Sequence, residues 1–310
     1  MKFLLKTLVF LLFLSLAVAG WGWMEYQAEQ LKPVVNKQQF FDVKKGDSVN
    51  KIIYNLQAKQ IKVNFYWFKV MAYEKKLGNK LKAGEYELKQ GMTTPQLLAL
   101  FVSGKSRQYS ITFPEGWAFK QIRQKIAEDP YLQQTLADVD NETLMAKLNS
   151  DYKHPEGLFF PDTYFFDKNT TDFILLKRAY NKMQKVLEQE WQAKEEGLLL
   201  KTPYETLILA SIIEKETGAA HERPLIAGVF TRRLKIGMKL QTDPTIIYGM
   251  GDRYKGNIRY KDLREATPYN TYVINGLPPT PIAMPGKEAI HAALHPAKGD
   301  SLYFVSRNNG

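Results

Sequence analysis

The chain contains no cysteine. That excludes disulfides, thiolate nucleophiles and cysteine-based metal sites, and it is compatible with an oxidising compartment. Histidine is scarce, with four in 310 residues. Only His291 and His295 stand at i, i+4, and Ala292 occupies the place where a zinc-protease helix carries glutamate. The pair reads as helix-end packing, so no metal and no cofactor are expected. Gly104-Lys105-Ser106 resembles the tail of a phosphate loop, but the earlier glycine is replaced by Ala99. Ser48-Val-Asn-Lys51 has the Ser-x-x-Lys spacing of penicillin-binding enzymes, yet no Lys-Thr-Gly follows. Acidic residues are in deficit, 32 against 43 lysines and arginines, for a formal charge of +11. A basic surface suits nucleic acid, anionic lipid or another acidic polymer. No nucleic-acid module is recognisable, so an anionic envelope surface is favoured and no nucleic-acid partner is expected.

Hydrophobic content of 45% and charged content of 24% describe a globular protein, long enough for about two domains. Lys2 and Lys6 precede an apolar run from Leu8 to Ala19, extended by Trp21, Trp23 and Tyr26. Thr7 to Tyr26 is about the length that spans a bilayer, with an aromatic belt on the far side. The leading lysines place the amino terminus in the cytoplasm. The competing reading is a cleaved signal peptide, because Ala17-Val18-Ala19 resembles a cleavage site. Either way the remainder is exported.

A polar linker is expected over 27–38. Then one pattern recurs three times. Gly46, Gly91 and Gly116 each follow a strand-like run (Phe40–Lys44, Glu85–Lys89, Tyr109–Phe113), and each precedes an apolar pair six and ten residues later: Ile52 and Leu56, Leu97 and Phe101, Ile122 and Ile126. The pattern predicts a strand, a glycine turn and a short amphipathic helix capped by Ser48 or Thr93. Ala118 breaks the capping rule in the third copy. The first copy, from Val43 to Ile53, resembles the start of a LysM module, which binds the N-acetylglucosamine backbone of peptidoglycan or chitin; a generic packing unit without ligand is the alternative. Phe65, Tyr66, Trp67, Phe68 and Tyr73 cluster between copies and read as core more than as a sugar platform.

In the second half, Glu156-Gly-Leu-Phe-Phe-Pro-Asp-Thr-Tyr164 predicts a buried strand entering a polar turn. A long amphipathic helix is expected over Thr171–Glu196. The central segment is Glu205–Gly218, in which Leu209, Ile212, Ile213 and Glu216 share one helical face and Gly218 is a plausible stop. Glu216 therefore continues the most buried stripe, at the negative end of the helix dipole. Both effects disfavour its charged form and raise its pKa, as a general acid requires. Glu214 shares a face with Leu207, Ala210 and Ser211 and is the second candidate. The two glutamates point in different directions, so they cannot flank one bond as an ordinary glycosidase pair does. A further helix, Ala219–Leu234, is expected next, followed by loops rich in Pro, Asn, Tyr and Thr, the kind of rigid loop on which sites are built.

Five segments in order, Glu156–Tyr164, Ala210-Ser-Ile-Ile-Glu-Lys-Glu-Thr217, Leu240-Gln-Thr-Asp-Pro-Thr245, Tyr269-Asn-Thr-Tyr272 and Gly276-Leu-Pro-Pro-Thr-Pro-Ile282, resemble the YceG-like family, the endolytic murein transglycosylases of MltG type. The resemblance implies an α+β protein with a single-pass inner-membrane anchor (1–26), a linker (27–38), a LysM-like repeat region (39–127) and a periplasmic catalytic domain (128–310). It implies internal cleavage of the glycan strand without water, leaving 1,6-anhydro-N-acetylmuramic ends, by a glutamate of the Glu-Lys-Glu motif. Family members continue past a strand like Leu302–Val305 into a Gly-His-x-Phe segment, whereas this chain stops at Gly310, as a truncated protein would. Expected partners are peptidoglycan strands and the cytoplasmic membrane, with a peptidoglycan synthase as a further candidate.

On this reading Glu216 (alternatively Glu214) protonates the leaving oxygen, and Gln241, Thr242, Asp243, Tyr269, Asn270, Tyr272 and Glu156 hold the sugar; Glu156 and Arg223 are alternatively a structural pair. Two other functions remain open, a non-catalytic wall-binding tether and a hydrolysing muramidase.

Overall fold

Residues 2–304 are described by the computed structural model. The chain divides into two units, Met1–Tyr109 and Ser110–Gly310. The first opens on α1 (Lys2–Leu31). Within Phe3–Leu31 an apolar window of 18 residues has a mean hydropathy of 2.3 and none of it is buried, so the helix is long and apolar enough to cross a membrane. The stretch expected as a linker is not a free tether. Helix α1 runs on to Leu31, and Val34 and Val35 are fully buried, with Val34 N donating to Met92 O at 2.8 Å.

Next come β1 (Gln39–Val43), α2 (Val49–Ala58), α3 (Phe65–Glu74), β2 (Gly84–Leu88) and α4 (Thr94–Ser103). Strands β1 and β2 pair antiparallel, with Phe41 opposite Tyr86. Beneath them lies one core that includes Ile52, Leu56, Phe68, Met71, Leu97 and Phe101. The repeated pattern is realised as expected: Gly46 and Gly91 adopt φ of +87° and +85°, which only glycine takes without strain. Ser48 caps α2 by accepting from Lys51 N at 3.3 Å. Of the aromatic cluster, Phe68 is core, whereas Tyr66 and Tyr73 are 77% and 71% exposed.

The third copy belongs to the second unit, so the division falls earlier in the chain than residue 127. Strand β3 (Gln108–Thr112) joins β4 (Thr163–Asp167), and α5 (Phe119–Ala127) follows. The remaining helices are α6 (Asn141–Lys147), α7 (Asp172–Gln192), α8 (Pro203–Glu216), α9 (Arg223–Lys235), α10 (Asp243–Met250) and α11 (Lys287–Leu294). The buried strand expected at Leu158–Phe160 is instead a buried irregular segment. Gly157 at φ +77° and Pro161, which has no N–H, bracket it and prevent ladder pairing; β4 begins only at Thr163. Leu302–Phe304 carry no strand among the described residues, and Val305 lies outside them.

Helix α8 organises this unit. Thr202 caps it, accepting from Glu205 N at 3.2 Å, and Pro203 opens its first turn, where a missing N–H costs nothing. Every residue from Thr206 to Ile213 is buried, because α7, α9, α10 and α11 all pack on it. A helix apolar all round is a core helix, and only its last turn reaches polar surroundings.

Candidate active site

That last turn carries both glutamates, and the structure gives them different neighbours. The Glu214 side chain is 5% exposed. Its Oε1 accepts from Arg223 Nη2 at 3.2 Å and its Oε2 from the Gly286 amide at 2.9 Å. Both oxygens are thus occupied, joining the end of α8 to the starts of α9 and α11. Arg223 is also 3.7 Å from Glu115. The alternative pairing of Arg223 with Glu156 is not formed: Arg223 is taken by the carboxylates nearest its own helix start.

Glu216 is half-buried, and Thr242 donates its hydroxyl hydrogen to Glu216 Oε1. Burial pushes the Glu216 carboxyl above the ordinary carboxylate range, opposed by the Thr242 hydrogen bond, reinforced by the negative Asp243 and opposed again by the positive Arg233. Thr242 is itself fixed. Its N–H donates to Thr271 Oγ1 at 3.0 Å, and its carbonyl accepts from Thr245 Oγ1 at 2.7 Å. Tyr272 donates to Asp243 Oδ1 at 2.7 Å, and the Gln241 amide donates to Thr271 O at 3.1 Å. Glu216, Thr242, Asp243 and Tyr272 therefore form one cluster, with the exposed Gln241 at its edge at φ +50°.

Glu156 belongs to a second cluster, on a cleft of about 920 Å³ whose walls include Phe119, Arg123, Glu156, Lys215, Pro244, Tyr248 and Tyr254, and Tyr269 stands behind Tyr248 without lining it. Glu156 Oε1 accepts from Phe119 N at 2.9 Å and Oε2 from Tyr248 OH at 3.1 Å. Burial nevertheless pushes its pKa up to about 7. The Tyr269 ring packs edge-on to Tyr248 with centroids 4.9 Å apart, and its hydroxyl meets Thr280 Oγ1 at 2.9 Å. Glu216 is not among the cleft-lining side chains, but its neighbour Lys215 is. Helix α10 links the two clusters, with Thr242 and Asp243 at its start and Tyr248 near its end. Asn270 lies behind the first cluster: it is 1% exposed, its Oδ1 accepts from Tyr272 N at 3.0 Å, and its amide donates to Asp262 O and Glu265 O at 3.1 and 2.8 Å. It staples the 262–265 loop.

The model of the YceG-like family matches residues 41–310. The chain belongs to the YceG-like family. An endolytic murein transglycosylase of Bacillus subtilis is 36% identical over 246 residues, covering 74% of this chain and 68% of that protein. An endolytic murein transglycosylase of Streptococcus pneumoniae is 30% identical over 334 aligned positions, covering 96% of this chain and 60% of that protein. The chain thus spans well short of the full length of these relatives. A crystal structure of a YceG-like protein from Listeria monocytogenes superposes with a TM-score of 0.54 at 30% identity, over 87% of this chain and 94% of that one.

Several residues of this YceG-like chain are placed at the two clusters without having stood out in the sequence. Thr271 lies inside a conspicuous segment and Tyr248 just beyond one, but only tertiary contact shows which atoms they meet. Arg233 is buried and donates to Leu240 O at 2.6 Å, holding the strap that leads into Thr242. Lys215 donates to Gly116 O at 3.3 Å. The first unit has its own groove, of about 570 Å³, lined by Gly46 to Asn50, Lys69, Tyr73 and Asn79.

Proposed function

We propose that this YceG-like protein is an endolytic murein transglycosylase, cleaving the bond between N-acetylmuramic acid and N-acetylglucosamine within peptidoglycan strands, with Glu216 as its acid. The observation that carries the assignment is the contrast at the end of α8: Glu214 has both oxygens engaged, whereas Glu216 is a desolvated carboxyl with a raised pKa. The Glu216 proton passes to the glycosidic oxygen as the C1–O bond breaks. The resulting carboxylate takes the proton from the sugar's own 6-hydroxyl as O6 bonds to C1, closing the 1,6-anhydro ring. Charge and protons balance with no water and no second protein carboxylate. Acid–base assistance of this kind contributes about 10² to 10⁴ in rate.

Thr242, Asp243 and Tyr272, with Gln241 at the edge, hold the reacting sugar, and Glu156 receives a more distant part of the strand in the neighbouring cleft, where Tyr269 backs the Tyr248 wall. Asn270 keeps their loop rigid. The groove beside Gly46 suits the LysM-like role of gripping the N-acetylglucosamine backbone. Helix α1 anchors the protein in the inner membrane with its lysine-bearing start in the cytoplasm and the catalytic unit in the periplasm. There the partners are glycan strands and, as their supplier, a peptidoglycan synthase. Digestion of purified peptidoglycan, read by mass spectrometry, tests the proposal. Anhydro-ended fragments are expected; reducing ends would make the protein a muramidase, and binding without cleavage would make it a tether.

A further inference from the structure

Helix α1 and α3 are joined by a chain of rings. At about 1.5 Å per residue, some 20 residues of α1 counted from Phe3 fill a hydrocarbon layer of about 30 Å, the long Lys6 side chain near its start reaching back to the cytoplasmic surface. That places the exposed Trp21 and Trp23 at the lipid–water boundary, where tryptophan concentrates. The Trp23 ring lies 6.0 Å from that of Tyr26, and the Tyr26 ring lies 5.5 Å from that of Trp67 in α3. The Tyr26 hydroxyl donates to Glu74, the last residue of α3. Tyr26 is one turn beyond Trp23, about 4.5 Å further along the axis. Helix α3 is therefore held beside the headgroup layer. The joint is stiff as well as short, because Pro33 bridges Thr93 and Gly91 N donates to Val35 O at 2.9 Å.

The outer face of α3 suits that position. Phe68, Met71 and Ala72 are buried, and on the opposite side Tyr66, Val70 and Tyr73 are exposed at i, i+4 and i+7. Tyr54 extends the aromatic surface, with the Tyr54–Phe65 and Phe65–Tyr66 ring pairs both 5.6 Å apart. Lys69 lies beside the stripe, and Lys62, Lys75 and Lys76 flank it. Aromatic and apolar side chains ringed by lysines are the composition of a helix that lies on an anionic membrane surface. Lys69 and Tyr73 also line the first-unit groove, but Tyr66 and Val70 do not, so that groove leaves these two unexplained.

We infer that the Tyr66–Val70 face of α3 docks on the headgroup layer of anionic lipid and seats the first unit against the membrane. The inference rests on α1 spanning the bilayer. Because the chain has no cysteine, single spin labels test it cleanly. The full chain, as Val9→Cys, Tyr66→Cys, Val70→Cys or Lys89→Cys, is placed in nanodiscs of phosphatidylglycerol and phosphatidylethanolamine, or of phosphatidylcholine alone. Each label is read for collision with oxygen and with a water-soluble nickel chelate. The expected result is lipid-core depth at Val9, full nickel access at Lys89, and a several-fold loss of nickel access at Tyr66 and Val70 in the anionic discs, smaller in phosphatidylcholine. Lipid-core depth at Val9 with Tyr66 and Val70 as water-exposed as Lys89 would overturn the docking alone. Water exposure at Val9 would overturn the anchor and the docking with it.

Discussion

Arg223 Nη2 lies 3.2 Å from Glu214 Oε1, and this contact separates two carboxylates that stand two residues apart on the same helix. With side-chain exposures of 9% and 5%, the pair is desolvated. Removing one partner of such a pair leaves an uncompensated buried charge and costs about 3–5 kcal/mol. Glu115, 3.7 Å from the same nitrogen, offsets part of that for Arg223. Glu214→Ala is therefore expected to lose about 3 kcal/mol in urea unfolding. Glu216→Gln is expected to unfold at or above the wild-type midpoint, because its neutral amide is free of the cost that burial puts on the charged carboxylate, while its glycan cleavage falls about 10²- to 10⁴-fold. The reverse pattern would transfer the acid's role to Glu214.

The Thr242 hydroxyl stabilises the charged form of Glu216, so its removal has a sign. In Thr242→Val the donor is lost at nearly constant volume, and the Glu216 pKa rises further above the ordinary range. A general acid works only while protonated, so activity declines as pH rises through that pKa. The alkaline limb of the pH–rate profile is expected to move to higher pH in Thr242→Val, with a lower plateau. A limb that stays in place would show that another group titrates there.

Glu156 makes a stability prediction of the opposite kind to an ordinary salt-bridged carboxylate. Its folded pKa of about 7 exceeds the ordinary 4.5, so across that interval the folded state binds more protons than the unfolded one. Stability is then fully present below about pH 4.5 and declines as pH rises toward 7. At about 1.4 kcal/mol per unit, the effect is on the order of 3 kcal/mol. Glu156→Gln mimics the protonated acid and accepts from Phe119 N in the same way. Urea midpoints measured from pH 4.5 to 8 are expected to converge at the acid end and to favour the variant at the alkaline end. Parallel curves would mean that Glu156 titrates normally.

The strand–glycine–helix units were readable along the chain because they are local: glycine at positive φ, a cap and an apolar pair fall within about a dozen residues. The third cap was not. Ala118 offers no side-chain acceptor, and the helix start is held instead by one local group, Gln121 Oε1 accepting from Ala118 N at 2.9 Å, and one remote group, Glu156 Oε1 accepting from Phe119 N at 2.9 Å. Glu156 was thus visible as part of a conspicuous segment, but its position at the start of α5 was not. The apolar stripe of α8 likewise singled out Glu216 for an incomplete reason. The helix is buried on every face from Thr206 to Ile213, so a stripe alone does not rank the two glutamates. What ranks them is Arg223, nine residues beyond Glu214, and Thr242, which reaches Glu216 from a different helix. Asn270 illustrates the same limit: its residue type suits a sugar contact, but its burial was set by a loop that periodicity does not describe.

Gly157 offers the last test, because it controls where Glu156 points. It adopts φ +77°, and a Cβ there would stand 2.4 Å from Pro281 Cβ and 2.5 Å from Pro281 Cγ. Gly276 has a similar φ of +81° but nothing within 4 Å of its would-be Cβ. Alanine at either site incurs the left-handed backbone penalty, about 1–2 kcal/mol. Only at Gly157 must Pro281 also move, and with it Ile282, whose amide donates to Ser211 Oγ at 3.0 Å on the core helix. Overpacking of this kind adds about 1–3 kcal/mol. Gly157→Ala is therefore expected to melt well below Gly276→Ala and to lose glycan cleavage as well, since Glu156 and the Ile282 side of the cleft are displaced together. Equal melting temperatures for the two variants would show that Pro281 yields freely and that the close approach of these segments does not position the cleft.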